Sequence, residues 1–103
     1  MHIISRTTLD RFAAKHPEAR AAIATCCAIV ERSHFADTHQ VKAALPATDF
    51  LPGGTVIFDL GGNKYRISAN VKYVNAVSRV GRVYIRHVMT HAEYTRRSKD
   101  GTL

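Results

Sequence analysis

The sequence predicts an α+β fold in which a short strand and two helices precede a three-stranded antiparallel sheet. Between residues 7 and 33 apolar side chains recur at helical spacing, whereas from residue 55 onward they alternate with polar ones. The chain has 103 residues, the length of one ordinary domain, so residues 1–103 are expected to form a single domain. The polar connection between the two halves carries turn-forming residues, namely Pro46, Pro52, Gly53 and Gly54.

The N-terminal half contains the predicted strand and helices. The stretch HIIS at residues 2–5 predicts the strand, and a helix follows in which Thr7 and Asp10 are spaced as in a capping box. Pro17 interrupts this helix and is predicted to occupy the first position of a second helix, which runs to about Ser33. One or two further helical turns are expected around residues 40–44.

Three alternating segments, TVIFDL, KYRISANVKYV and RVYIRHVM, predict an antiparallel meander with helices packed on its apolar face. Burying the apolar residues of the first two strands on one face requires strand partners whose residue numbers sum to an odd number. A two-residue turn at Gly61-Gly62 or at Gly62-Asn63 meets this requirement. A phosphate-binding loop would be followed by a helix, and a strand follows here, so the glycines are predicted to close a hairpin. The predicted core residues are Val56, Phe58, Leu60, Tyr65, Ile67, Ala69, Val71 and Tyr73.

The opposite face of the sheet is predicted to be strongly basic. The last strand is expected to turn Val83, Ile85, His87 and Met89 towards the core. Arg66 and Arg86 would then share the outer face of neighbouring strands, where they repel each other unless an anion lies between them. Asp59, on the same face, is expected near Lys64 or Arg66. The predicted outer residues are Lys64, Arg66, Ser68, Asn70 and Lys72 on the second strand, and Arg82, Tyr84 and Arg86 on the last.

Two interpretations of this basic face are open. The solvent face of an antiparallel sheet is normally polar, and this explanation suits Lys64 or Lys72 taken singly. The whole set, with Tyr84 and little compensating acid, favours a phosphate-binding surface, because guanidinium groups suit phosphates and aromatic rings suit unpaired bases. The helical cations Arg11 and Lys15 are interpreted as a solvated face.

The overall charge supports a polyanionic partner. Fifteen Lys and Arg against eight Asp and Glu give a net charge of +7 and a pI near 9.9. Nucleic acid is the first candidate, an acidic protein the second and an anionic membrane the third. No apolar run reaches the roughly 20 residues that cross a bilayer, and no signal-peptide pattern opens the chain, so a cytoplasmic protein is expected. Adjacent Cys26 and Cys27 are expected to be buried thiols, and neither the cysteines nor the scattered histidines predict a metal site.

The segment THAEYTRR follows the last strand and adds chemistry to the basic face. His91 and Tyr94 are three residues apart, so in a helical turn they lie side by side near the arginines. Together they offer a proton acceptor and donor beside cations, as metal-independent RNA cleavage requires. The only acids nearby are Asp59 and Glu93, and neither pairs with another acid to hold a catalytic metal. No cofactor is therefore expected.

The segments HIIS, VKAALPATD, GGNKYRI and YIRHVMTHAEY, in this order, resemble the HigB family of bacterial type II toxins within the RelE-like superfamily. The resemblance implies a small curved sheet and an mRNA interferase that cleaves messenger RNA without metal on the translating ribosome. It also implies a helix-turn-helix antitoxin that holds the enzyme inactive and through which the complex binds operator DNA. Two residues depart from the family pattern: Thr95 stands where an acid is frequent, and Phe35 where tryptophan is common.

The resemblance also implies roles for individual residues. Arg66 and Arg86 would bind and stabilise the scissile phosphate, while His91 and Tyr94 would share proton transfer, without a decision on which is base and which is acid. RNA-binding roles fall to Lys64, Asn70, Lys72, Arg82 and Tyr84. Two other functions remain open: a non-catalytic RNA-binding or ribosome-associated module, and a protein-interaction subunit whose basic face meets an acidic partner.

Overall fold

The computed structural model describes residues 1–62 and 64–103. Four helices and a five-stranded sheet make up this part of the chain. The strands are β1 (His2–Ile4), β2 (Thr48–Phe50), β3 (Thr55–Leu60), β4 (Tyr65–Lys72) and β5 (Arg82–Thr90). The helices are α1 (Arg6–Lys15), α2 (Arg20–Arg32), α3 (Thr38–Ala44) and α4 (His91–Asp100).

The sheet has the strand order β1-β5-β4-β3-β2. The predicted antiparallel meander of β3, β4 and β5 is confirmed, and one strand extends it at each edge. At one edge β1 runs parallel to β5, and at the other β2 runs antiparallel to β3, so the sheet is mixed. β2 lies in the segment that the sequence predicts to be a loop. The sequence does not indicate this strand, because three residues are too few to show an alternation of apolar and polar side chains. Its turn signals close a hairpin instead: the Leu51 N–H donates to the Thr55 carbonyl at 2.9 Å.

The predicted helices are present, but two of their predicted starting signals are wrong. The capping box at Thr7 does not form, since Ser5 is the N-cap of α1, with φ of 70° and no side-chain hydrogen bond to the helix. Pro17 begins a single 3₁₀ turn (Pro17–Ala19), and α2 starts only at Arg20. The helical turns predicted around residues 40–44 correspond to α3, which Asp37 caps by accepting from the Gln40 N–H at 3.0 Å.

One face of the sheet packs against α1 and α2 and forms the core. Leu9 of α1 and Val30 of α2 pack with Phe58, Ile67 and other residues of the strands. The core face predicted for β3 and β4 is confirmed, because its alternate residues are buried there or packed against the cluster. Cys26 and Cys27 are buried free thiols in this core.

The hairpin between β3 and β4 has the predicted parity. Leu60 pairs with Tyr65 and Asp59 with Arg66, so the partners sum to an odd number. This register excludes a two-residue turn at Gly61-Gly62, since the Lys64 N–H donates to the Gly61 carbonyl at 3.4 Å. Gly61 and Gly62 both have positive φ, of 58° and 62°, which glycine adopts without strain. Asn63 lies outside the described residues.

A β-bulge in β5 changes the predicted faces of that strand. Ala69 pairs with Ile85 and Ser68 with His87, so Arg86 is an extra residue in β5. Beyond the bulge the alternation is reversed. The predicted core positions of His87 and Met89 are therefore wrong: both residues lie on the Arg66 face, and Val88 packs against the core in their place.

α4 extends the predicted helical turn to ten residues and covers part of the outer face. It packs against β4 and β5, and the Tyr94 ring lies over Arg66, whose side chain points away from the α1 and α2 layer. The predicted packing of helices on one face holds for α1 and α2, and α4 adds a contact with the opposite face. Thr90 caps the helix by accepting a hydrogen bond from the Glu93 N–H at 3.3 Å. Among the described residues no helix is long and apolar enough to cross a membrane.

Candidate active site

Arg66 and Asp59 form an ion pair at the centre of the outer face. They are direct cross-strand partners on β4 and β3, and Arg66 Nε lies 2.6 Å from Asp59 Oδ1. The Arg66 side chain is only 8% exposed and that of Asp59 14%. Burial raises the pKa of the Asp59 carboxyl, and the Arg66 guanidinium opposes this shift. The acid predicted near Lys64 or Arg66 is thus bound to Arg66.

Tyr94 covers this ion pair from α4. The Arg66 guanidinium carbon lies 5.1 Å from the centroid of the Tyr94 ring, the geometry of a cation–π contact. Because Thr90 caps α4 at the end of β5, the helix begins at a set position and directs its first turn over β4. The predicted proximity of Tyr94 to an arginine is present, and the contact buries Arg66 beneath the ring.

His91 occupies the opening of α4 beside the β3–β4 hairpin. Its backbone N–H donates to the Lys64 carbonyl at 3.0 Å, and both side chains are exposed. His91 also lies near enough to Asp59 to act on its pKa, in the lowering direction. These contacts bring five residues to one end of the sheet. We call Asp59, Lys64, Arg66, His91 and Tyr94 the Arg66 cluster.

Arg86 lies outside this cluster, because the bulge separates it from Arg66. The cross-strand partner of Arg66 is Met89, so Arg66 and Arg86 are not direct partners across the two strands. Arg86 is exposed, and its positive charge acts on the pKa of His87. Burial and the charges of Arg97 and Arg86 lower the pKa of His87.

The remaining predicted RNA-binding residues lie further along the same face. Asn70 pairs with Tyr84, and Lys72 pairs with Arg82. Tyr84 is 39% exposed, so part of its ring faces solvent. Six residues of strand separate Lys72 from Arg66, which corresponds to about 20 Å. The basic face is therefore a stripe, with the Arg66 cluster at one end and the Lys72–Arg82 pair at the other.

α4 also carries residues that the sequence did not single out for this face. Arg97 Nε lies 3.5 Å from Glu93 Oε2, one turn earlier in the helix. His87 is the clearest omission, since only the bulge turns it to this face. Thr95, which stands in place of a frequent acid, donates its hydroxyl to the His91 carbonyl at 3.1 Å within α4. Among residues 1–62 and 64–103 no three His, Cys, Asp or Glu side chains are grouped as metal ligands.

A cavity of about 350 Å³ lies between α1, β5 and α4. Arg11, Lys15 and His16 contribute cationic or ionisable groups to its wall, and Glu93 of α4 lines it as well. The predicted solvated face of α1 therefore borders the helix that carries Tyr94. The His16 ring stacks on the Phe12 ring with 4.4 Å between their centroids, so His16 covers one face of the Phe12 ring.

Comparison with known proteins identifies the family. A family model described as HigB_toxin, RelE-like toxic component of a toxin-antitoxin system, matches residues 19–97. The mRNA interferase HigB of Escherichia coli O6:H1 (strain CFT073) is 28% identical over 96 residues, which cover 91% of this chain and 88% of that protein. The mRNA interferase toxin HigB of E. coli K12 and the mRNA interferase HigB of Shigella flexneri are each 29% identical with the same coverage. The chain therefore belongs to the HigB family, the RelE-like toxic components of toxin-antitoxin systems.

Proposed function

We propose that this protein is an endoribonuclease that cleaves messenger RNA and thereby inhibits translation. The observation that carries the proposal is the stacking of Tyr94 on Arg66, with His91 at the start of the same helix. It joins a phenol, an imidazole and a guanidinium at the end of a basic stripe. Similar proteins that carry the name mRNA interferase cover most of the chain and support the same activity.

In the proposed reaction, the RNA 2′-hydroxyl attacks the adjacent phosphorus and the 5′-oxygen leaves. Proton transfer is shared by His91 and Tyr94, whose side chains start one helical turn apart. Arg86 and Lys64 are exposed and contact the phosphate, whose charge increases in the transition state. Arg66 acts on the phosphate from beneath the Tyr94 ring, and its stacking also holds that ring in position.

The basic stripe binds the RNA that flanks the cleaved bond. Lys72 and Arg82 contact phosphates, Asn70 offers an amide, and the part-exposed Tyr84 ring stacks on a base. The stripe is about 20 Å long, enough to contact several nucleotides of an extended RNA strand. Single-stranded messenger RNA on the translating ribosome, in the cytoplasm, is the substrate that this surface suits.

The proposed chemistry requires no metal ion. Asp59 is paired with Arg66, and Glu93 is paired with Arg97. Charge stabilisation is assigned to guanidinium and ammonium groups instead. As a toxin component, the protein has a cognate antitoxin. We propose that this antitoxin contains a helix-turn-helix and attaches the complex to operator DNA.

Expression of the chain alone tests the proposal. We expect growth arrest, which Arg66→Ala or His91→Gln relieves. Arg20→Gln is the matched control, since Arg20 is an exposed cation on α2, on the other face of the sheet, and should leave the arrest unchanged. Purified protein should cleave messenger RNA during translation and leave 2′,3′-cyclic phosphate ends, the product of attack by the 2′-hydroxyl. Full toxicity in both variants would remove the assignment of catalytic residues.

The second candidate function is a non-catalytic RNA-binding or ribosome-associated module. It is favoured by the burial of Arg66 and by the Lys72–Arg82 pair, in which Lys72 is exposed and which would bind RNA without the cluster. This candidate predicts salt-dependent RNA binding without a cleaved product, even with translating ribosomes.

A further inference from the structure

We propose that His87 is a third proton-transfer residue of this site and accepts the proton of the attacking 2′-hydroxyl. This inference rests on the proposed ribonuclease function. It assigns the role of base to a residue of β5. His91 and Tyr94 then remain as the residues that protonate the leaving 5′-oxygen.

The β-bulge gives His87 its position. In a regular strand His87 would lie on the core face with Val83 and Ile85, as the alternation of the sequence predicts. The additional residue Arg86 reverses the alternation, so His87 lies opposite Ser68 on the Arg66 face. Ser68 is two residues from Arg66 along β4, about 7 Å. A phosphate bound near Arg66 and Arg86 is therefore within reach of the imidazole.

The ionisable groups around His87 come from two elements. Arg86 on β5 and Arg97 on α4 contribute positive charge, and Glu93 on α4 acts more weakly in the opposite direction. β4 contributes an uncharged residue opposite the ring, Ser68. Partial burial and the two arginines lower the pKa of His87, which favours the neutral imidazole that can accept a proton. The same arginines attract the phosphate that brings the 2′-hydroxyl to it.

Ser68 is the second observation that supports a defined role for this histidine. The residue has no exposed surface, and its Oγ has no hydrogen-bond partner among the described residues. A buried hydroxyl without a partner is costly, so it favours a ring nitrogen as partner. Rotation of the His87 ring towards Ser68 would form this bond. The bond would also orient the other ring nitrogen, as a base needs.

The reaction balances with this assignment. The 2′-hydroxyl proton passes to His87 as the 2′-oxygen forms its bond to phosphorus, and the P–O5′ bond breaks. The 5′-oxygen takes a proton from His91 or Tyr94, and the other product is a 2′,3′-cyclic phosphate. His87 then returns its proton to solvent, and the residue that donated a proton recovers one from solvent.

The test is single-turnover cleavage of messenger RNA on translating ribosomes by purified wild type, His87→Gln and His87→Asn, measured from pH 5 to 8. The wild-type rate should fall at acidic pH, with a midpoint below the usual histidine pKa of about 6.5, because the base becomes protonated. Both variants should lose about 100-fold or more in rate and should no longer show this acidic decline, with RNA binding changed less than about threefold. His34→Gln, at an exposed histidine after α2, is the control and should keep the wild-type profile.

Three further results complete the test. Free imidazole should restore cleavage to His87→Ala at a rate that increases with imidazole concentration, which a structural role would not produce. Unchanged rates and pH profiles in folded His87→Gln or His87→Asn would overturn the proposal while the ribonuclease function stands. Absence of cleavage by wild type would overturn both.

Discussion

Arg66 and Asp59 are direct partners on neighbouring strands, with Arg66 Nε 2.6 Å from Asp59 Oδ1 under the ring of Tyr94. The ion pair joins β3 to β4, and the cation–π contact joins β4 to α4. The guanidinium that the sequence assigns to a phosphate therefore also holds the C-terminal helix against the sheet. Structure and proposed catalysis depend on the same side chain.

Removing the charge of Asp59 should destabilise the fold. Asp59→Asn removes the carboxylate charge from the buried ion pair with Arg66, and breaking such a pair typically costs about 3 kcal/mol or more. Urea unfolding near pH 7 measures the loss. Asp10→Asn is the matched control, because Asp10 is an exposed carboxylate on α1, on the other face of the sheet, and the free energy of unfolding should change by about 0.5 kcal/mol or less. Equal effects of the two substitutions would contradict a stabilising role for the ion pair.

Two substitutions of Tyr94 should separate the effect of its hydroxyl from the effect of its ring. Tyr94→Phe keeps the ring over Arg66, so stability should change by about 0.5 kcal/mol or less, while the cleavage rate falls about 100-fold if the hydroxyl transfers a proton. Tyr94→Leu also removes the cation–π contact and should lose a further 0.5 to 1 kcal/mol or so. Single-turnover cleavage and thermal unfolding measure the two effects. Full activity of Tyr94→Phe would show that the Tyr94 hydroxyl does not transfer a proton.

The far end of the basic stripe should contribute to RNA affinity and leave the chemical step unchanged. Lys72→Gln and Arg82→Gln should each reduce the slope of log binding constant against log salt by about 0.7. The cleavage rate at saturating RNA should remain within about twofold of wild type. Fluorescence binding at several salt concentrations gives the slope. Arg20→Gln is again the control, and a slope identical to that control would place the RNA path elsewhere.

Burial of Cys26 predicts a loss of stability at alkaline pH. The pKa of this thiol is raised from about 9 to about 12, since the core disfavours the thiolate. The unfolded chain therefore loses this proton first, and the contribution is complete below pH 9 and is lost as the pH rises towards 12. Urea unfolding of wild type and Cys26→Ala from pH 8 to 11 checks this. Wild type should lose stability more steeply, and parallel curves would contradict the prediction.

The sequence predicts much of the scaffold of this protein. Alternation in TVIFDL and KYRIS correctly places Phe58 and Ile67 in the core. Because the apolar residues of both strands must be buried on one face, the pairing register of the hairpin is also predicted. The basic stripe follows from the same alternation, and the proximity of Tyr94 to an arginine follows from the helical turn predicted after the last strand. β2 was not predictable, because three residues carry no period, and the capping box failed because Ser5, with positive φ, starts α1 instead.

The sequence by itself determined the family motifs, the core face of β3 and β4 and the basic character of the opposite face, because these are repeated local patterns. Only the tertiary structure decided where His87 points and how far Arg66 is covered. The bulge at Arg86 leaves no local signal, because it reflects how β5 fits β4. The burial of Arg66 depends on α4 folding back over the sheet, a contact between segments almost thirty residues apart.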